Sequence, residues 1–305
     1  MSRGARATPP RTRAIASLVD ATLFLLLVTV AVGALTLAPV APVTTAPAPD
    51  AGASLQRLQT VTANPEYSLA SGARHADESL VAFPRESGPT FDRYAHGSVA
   101  SLLADAAVGN LIVDGRAVTH TGDGFERRVV LAARNATGPR VHVRAVWTPY
   151  AGAPVRGCVA AGPTPPPGAR VSTAAATLDS GFPPVRDRAL RAAQRDGYAG
   201  VARVVARATV RGLFPPTSTA RALRGDYPVD ALVTYRYRRV AALLGTSVRG
   251  PVERVEPRAA NTRLSRALAA ALERDLRRSF DSPVAAARAV EGGEVRVVVR
   301  RWARA

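Results

Sequence analysis

The chain has 305 residues, 41 of them basic and 23 acidic, with a formal net charge of +18 and one cysteine, Cys158. Every basic residue is an arginine, which excludes a Walker A phosphate loop, a Schiff-base or pyridoxal enzyme and a protein kinase of the usual kind, because each needs an ammonium at a fixed place. A single cysteine also excludes an intramolecular disulfide framework, so packing must hold the fold.

Ala14 to Leu37 is an apolar run whose only charged residue is Asp20, and Arg3, Arg6, Arg11 and Arg13 precede it. As a helix it would span roughly 36 Å at about 1.5 Å per residue, enough for a bilayer core of about 30 Å. Three readings of the run stand: a signal anchor, which is preferred, a cleaved secretory signal, and a pilin-type signal cut near Arg13 or Ala14. Arginines on one side and a stretch without basic residues on the other orient the N-terminus to the cytoplasm and everything after Leu37 outside. Asp20 lies near the start of the run, where it either rests among headgroups or makes an intramembrane contact with a neighbouring helix.

The expected organisation is a cytoplasmic basic tail over residues 1–13, a transmembrane helix over 14–38, an Ala/Pro/Thr-rich linker over 39–53 and an extracytoplasmic domain over 54–305. The linker composition reads as an extended, semi-rigid stalk. Within the domain the charge shifts near residue 180. Residues 21–180 carry 12 arginines against 11 acids, whereas residues 181–305 carry 25 against 11, a net of +14.

Leu55 to Val61 and Ser98 to Val108 are helix candidates, the second with Ser98 as N-cap and Leu102, Leu103 and Ala106 on one side. Leu111–Val113, Asp114-Gly115 and Arg116–Val118 form a tight hairpin pattern. Gly122-Asp123-Gly124 reads as a turn. Arg127 to Arg134 and Arg140 to Thr148 read as a strand pair. In the second strand Val141, Val143, Ala145 and Trp147 oppose His142, Arg144 and Val146. Asn135-Ala136-Thr137 between them is a glycosylation pattern in an expected loop. Tyr150 to Gly168, rich in proline, reads as an irregular connection before a strand from Arg170 to Leu178.

From Pro184 the pattern becomes helical. Tyr198, Val201, Val205 and Ala208 mark one helix that stops at Leu213-Phe214-Pro215-Pro216. Val229, Val233, Tyr237, Val240 and Leu244 mark a second, with Arg236, Arg238 and Arg239 off its stripe. Leu264, Leu268, Leu272 and Leu276 mark a third, with Asn261 as its cap and Arg277 and Arg278 at the negative end of its dipole. Val295, Val297 and Val299 alternate with Arg296, Val298 and Arg300 in a closing strand. The predicted fold is α+β, an antiparallel sheet from the middle of the chain and the final strand, covered by the helices of residues 184–278.

Arg13-Ala14 with Leu18-Val19-Asp20, then Val146-Trp147-Thr148-Pro149-Tyr150, Gly212-Leu213-Phe214-Pro215-Pro216 and Val299-Arg300-Arg301-Trp302 together resemble an uncharacterised family of haloarchaeal single-pass membrane proteins. That family is associated with type IV pilus-like gene clusters. The resemblance implies an archaeal cell-envelope protein with an assembly role, and brings no catalytic residues with it.

Chemistry is sparse. His75 with Asp77 and Glu78 is the one local cluster, and it reads as a solvated loop rather than a metal site. His96-Gly97-Ser98 lacks the nucleophile-elbow glycines, and Cys158 reads as a buried apolar residue. No catalytic, metal or cofactor residue is expected. The expected function is a non-enzymatic, membrane-anchored structural or assembly component of a pilus-like surface system, in contact with the lipid bilayer and with other subunits. The alternative is a binding module whose basic part, residues 181–305, holds an acidic glycan, acidic protein or nucleic acid through residues such as Arg236, Arg238, Arg239, Arg277 and Arg278. Nucleic acid is disfavoured by the outward orientation and by an aromatic content of 5% with no stacking motif.

Overall fold

The computed structural model describes residues 50–303. The apolar run, Asp20 and the linker up to residue 49 lie outside them. Among the described residues no helix is long and apolar enough to cross a membrane. The fold is α+β.

The last linker residues are already helical. Asp50 accepts a hydrogen bond from the Ala53 amide at 3.0 Å and caps α1, Ala51–Thr60, so the first helix begins earlier than its apolar pattern suggests. Short strands β1 (Thr62–Ala63) and β2 (Glu66–Ser68), a short helix α2 (Ala70–Arg74), and strands β3 (Asp92–Tyr94) and β4 (Gly97–Ser98) form a peripheral layer. Helix α3, Val99–Gly109, starts where predicted, with the Ser101 amide donating to Ser98 Oγ at 3.1 Å and Leu102, Leu103 and Ala106 buried. Strands β5 (Leu111–Val113) and β6 (Arg116–Ala117) make the expected hairpin. Both turn residues, Asp114 and Gly115, have positive φ, the condition for a primed turn.

Arg127–Arg134 is not a strand. It belongs to helix α4, Asp123–Thr137, which also absorbs the expected Gly122-Asp123-Gly124 turn and the Asn135 loop. Gly124, Val129, Ala133 and Thr137 are its buried positions, the last three four apart, so helical packing overrides the β-branched pair at its centre. Strand β7, Val141–Trp147, alternates as predicted. The proline-rich connection hides a further strand, β8, Val155–Ala161. Strand β9 is Val171–Asp179, and β10, Glu294–Trp302, closes the chain.

The main sheet is antiparallel in the order β6-β5-β8-β7-β10-β9. Helices α1, α3 and α4 lie on one face of it. This corrects the expectation that residues 184–278 cover the sheet. Those residues build a separate helical layer: α5 (Arg186–Leu213, interrupted at Gly197), α6 (Pro216–Leu223), α7 (Val229–Leu243), α8 (Arg249–Glu253) and α9 (Pro257–Ser279), joined by α10 (Pro283–Arg288). Helices α5, α9 and α10 pack chiefly on one another. Leu264, Leu268, Leu272 and Leu276 are all buried, and truncating one to alanine should cost about 2–5 kcal/mol. Only Tyr237 and Val240 of the five-residue stripe on α7 are fully buried, beside Leu232, Tyr235 and Ala241. Asn261 is not a cap but lies inside α9, where its amide donates to the Phe214 carbonyl at 2.7 Å and its carbonyl accepts from the Tyr237 hydroxyl at 2.8 Å.

The helical layer docks on the end of the sheet. The Trp147 ring packs on Phe182 at 4.4 Å and its indole N–H donates to the Gly292 carbonyl at 2.7 Å. A single apolar core runs through both layers.

Candidate anion-binding surfaces

With three helices on one face, no helix or strand among the described residues packs on the other face of the sheet, whose residues are those that point away from the core along each strand. Val141, Val143, Ala145 and Trp147 of β7 are buried, so His142, Arg144 and Val146 face outward. Likewise β10 buries Val295, Val297 and Val299 and turns out Arg296, Val298 and Arg300. The register sets Val298 directly across from Arg144, Arg300 across from His142 and Arg296 across from Val146. Three arginine positions therefore surround Val298 in register. On the neighbouring strands Ala160 and Ala175 continue the apolar floor. These residues line a depression of about 1090 Å³, with Glu291 and Glu294 among its lining residues.

None of Arg144, Arg296 and Arg300 lies within ion-pair distance of a carboxylate among the described residues. Cys158 belongs to this face, contrary to its expected burial. It is half-buried, across from Val146, and accepts from Arg144 Nε–H at 3.4 Å.

A second basic surface lies between α5 and α9. Arg203, Arg207 and Arg211, four apart on α5, face Arg258, Asn261, Thr262, Ser265 and Arg266 of α9 across a groove of about 460 Å³. No acid lines it. Arg203 pairs with Asp196 at 2.5 Å.

The arginines singled out in the sequence behave differently. The guanidinium of Arg236 lies 5.7 Å from the centre of the Phe214 ring, and loss of hydration there pushes its pKa down. Arg238 turns inward, donating to the Leu80 carbonyl at 2.7 Å and to Glu253 at 3.1 Å, so it pins the loop before β3 to the helical layer. Off-stripe positions on α7 face other parts of the protein because α8 and that loop cover them. No ion pair or hydrogen bond of the Arg239 guanidinium occurs among the described residues. Arg277 pairs with Glu273 at 2.8 Å and lies over the Tyr198 ring, and Arg278 lies 3.7 Å from Asp275. These five do not converge on one surface. Asn135 is exposed in the last turn of α4, but the hydroxyl of Thr137 is buried and donates to the Ala133 carbonyl at 2.7 Å.

The histidines do not assemble as a metal site. His75 meets His120, with ring centres 4.9 Å apart, rather than Asp77 and Glu78. Asp123 Oδ2 accepts from the Ser71 hydroxyl at 3.1 Å and is 3.2 Å from His120 Nδ1. Ser71 Oγ also lies 3.4 Å from His75 Nδ1, but that nitrogen is 2.9 Å from the Ser71 carbonyl and donates to it, so it cannot take the hydroxyl proton, and the arrangement is not that of an activated nucleophile. Among the described residues no group of three His, Cys, Asp or Glu side chains is placed to hold a metal. Burial pushes the carboxyls of Asp105 and Glu126 up, yet neither lines the sheet depression or the groove.

Residues 19–302 match the family of unknown function DUF7284, and the chain belongs to that family. No curated protein and no solved structure matches it.

Proposed function

We propose that this protein is a non-enzymatic, membrane-anchored component of the cell envelope whose open sheet face docks an acidic subunit of a surface assembly. The observation that carries the reading is the face itself: one side of the sheet is packed under three helices, while the other presents Arg144, Arg296 and Arg300 around Val298 with no carboxylate paired to them among the described residues. A sheet face with an apolar floor and unpaired cations suits a protein surface of opposite charge, since complementary potentials steer encounter and fix register. Small side chains on the floor leave room for another backbone to approach.

Residues 14–38 supply the anchor in this reading, with residues 1–13 in the cytoplasm and residues 54–305 outside. The resemblance to haloarchaeal single-pass proteins associated with pilus-like gene clusters points to the assembly that would hold it. Charge reversal tests the docking face. Arg144→Glu with Arg300→Glu should shrink the complex extracted from membranes in mild detergent while the protein remains folded and inserted. A complex of unchanged size would overturn the reading.

A further inference from the structure

We infer that the groove between α5 and α9 is a binding site for a compact phosphate-class polyanion, a phosphate monoester or pyrophosphate group. This inference stands apart from the docking face, on the opposite side of the chemistry: it concerns a small ligand and different residues.

The argument begins with spacing. Arg203, Arg207 and Arg211 recur every four residues, which stacks like charges along one side of α5, an arrangement that is unfavourable on an isolated helix. Arg258 and Arg266 add two more from α9 across the gap, and no acid is among the lining residues. Elsewhere in the helical layer several arginines are balanced in place: Arg249 and Arg238 share Glu253, Arg254 holds Glu256, and Arg277 holds Glu273. In the groove only Arg203 has a carboxylate partner. Arg207, Arg211, Arg258 and Arg266 have neither an ion pair nor a side-chain hydrogen bond among the described residues.

The ligand class follows from the donors. Guanidinium forks match phosphate oxygens two at a time, and four of them around about 460 Å³ suit several negative charges concentrated on one or two phosphorus centres. A single carboxylate would leave most of them uncompensated. Ser265 adds a hydroxyl without a protein partner among the described residues, whereas Asn261 is held rigidly by Phe214 and Tyr237 and keeps the groove wall in place. The phosphate could be free or carried on a lipid headgroup.

The test uses the full chain in nanodiscs of neutral lipid, titrated with pyrophosphate and, at matched ionic strength, with chloride and citrate. Pyrophosphate should bind in preference to both. Arg207→Gln with Arg266→Gln should weaken it at least tenfold, while Arg191→Gln, outside the groove on the same helix, should change it less than twofold. Circular dichroism checks that each variant keeps its helices. Repeating the titration in nanodiscs that carry a phosphomonoester lipid separates the sources: loss of pyrophosphate binding identifies a headgroup ligand, and unchanged binding identifies a soluble one. Citrate binding as well as pyrophosphate, no binding above chloride, or equal weakening by the Arg191 control would overturn the inference.

Discussion

Tyr150 and Asp275 are joined across 125 residues of sequence. The fully buried phenol, just beyond the sheet, donates to Asp275 Oδ2 on α9 at 2.8 Å, and its ring meets Phe280 edge-on at 5.9 Å. The pair is a polar tie between the sheet and the helical layer. Tyr150→Phe should lower unfolding free energy by about 1–3 kcal/mol, because it leaves a mostly buried carboxylate short of a donor. Urea midpoints of wild type and variant check this.

The same pair sets a pH dependence. Burial, followed by the Asp275 contact, pushes the Tyr150 pKa well above its ordinary value, and burial does the same for Tyr237. The neutral phenols are favoured in the fold, so their contribution is complete below the unfolded tyrosine pKa of about 10 and declines as pH rises beyond it. Stability from these groups should therefore hold up to about pH 9 and fall as pH rises through about 10 to 11, and the slope there should be shallower in Tyr150→Phe. Equal slopes would remove Tyr150 from the account.

Gly157 of β8 faces the backbone of α3. A Cβ there would lie 2.0 Å from the Ala107 carbonyl oxygen, and a backbone atom cannot swing aside as a side chain can. Gly157→Ala should destabilise by about 1–3 kcal/mol through forced separation of helix and sheet. A thermal midpoint equal to wild type would show that the approach is looser than described.

The proposed anchor leads to a prediction for Asp20. With partner contacts assigned to the sheet face, Asp20→Asn should leave insertion and detergent-resistant complexes unchanged at equal expression, since a neutral amide costs less at that depth. Weaker complexes would place an intramembrane ion pair at Asp20 instead. Protease added to spheroplasts should remove residues after Pro39 and spare the tail before the apolar run. Protection of the domain would reverse the topology.

Much of the fold was legible where local chemistry and tertiary packing agree. Asp114-Gly115 specified its hairpin, Ser98 its helix start, and the alternation along β7 and β10 named the core face residue by residue. Helix α4 was misread because Val129-Val130-Leu131 favours a strand locally, and only the packing of Val129, Ala133 and Thr137 decides for a helix. Strand β8 was missed because its buried positions include Gly157 and Ala161, which carry little periodic signal between Pro154 and Pro163. The outward set Arg296, Val298 and Arg300 is readable from alternation, but that no helix among the described residues covers it depends on where residues 184–288 pack. The groove is similar. The spacing of Arg203, Arg207 and Arg211 is plain in the sequence, whereas its partner wall on α9 is a tertiary fact. Arg236 and Arg238 show the converse, since positions off an apolar stripe can still be enclosed by a neighbouring loop.

The docking claim is tested most directly by a photo-crosslinking residue placed at Val298 in the membrane-bound protein, with the same residue at exposed Leu131 of α4 as the control. The account predicts a discrete adduct to an acidic envelope protein from position 298, none from position 131, and loss of the adduct when Arg144→Glu and Arg300→Glu are added. No adduct from position 298, or the same adduct from both positions, would contradict it.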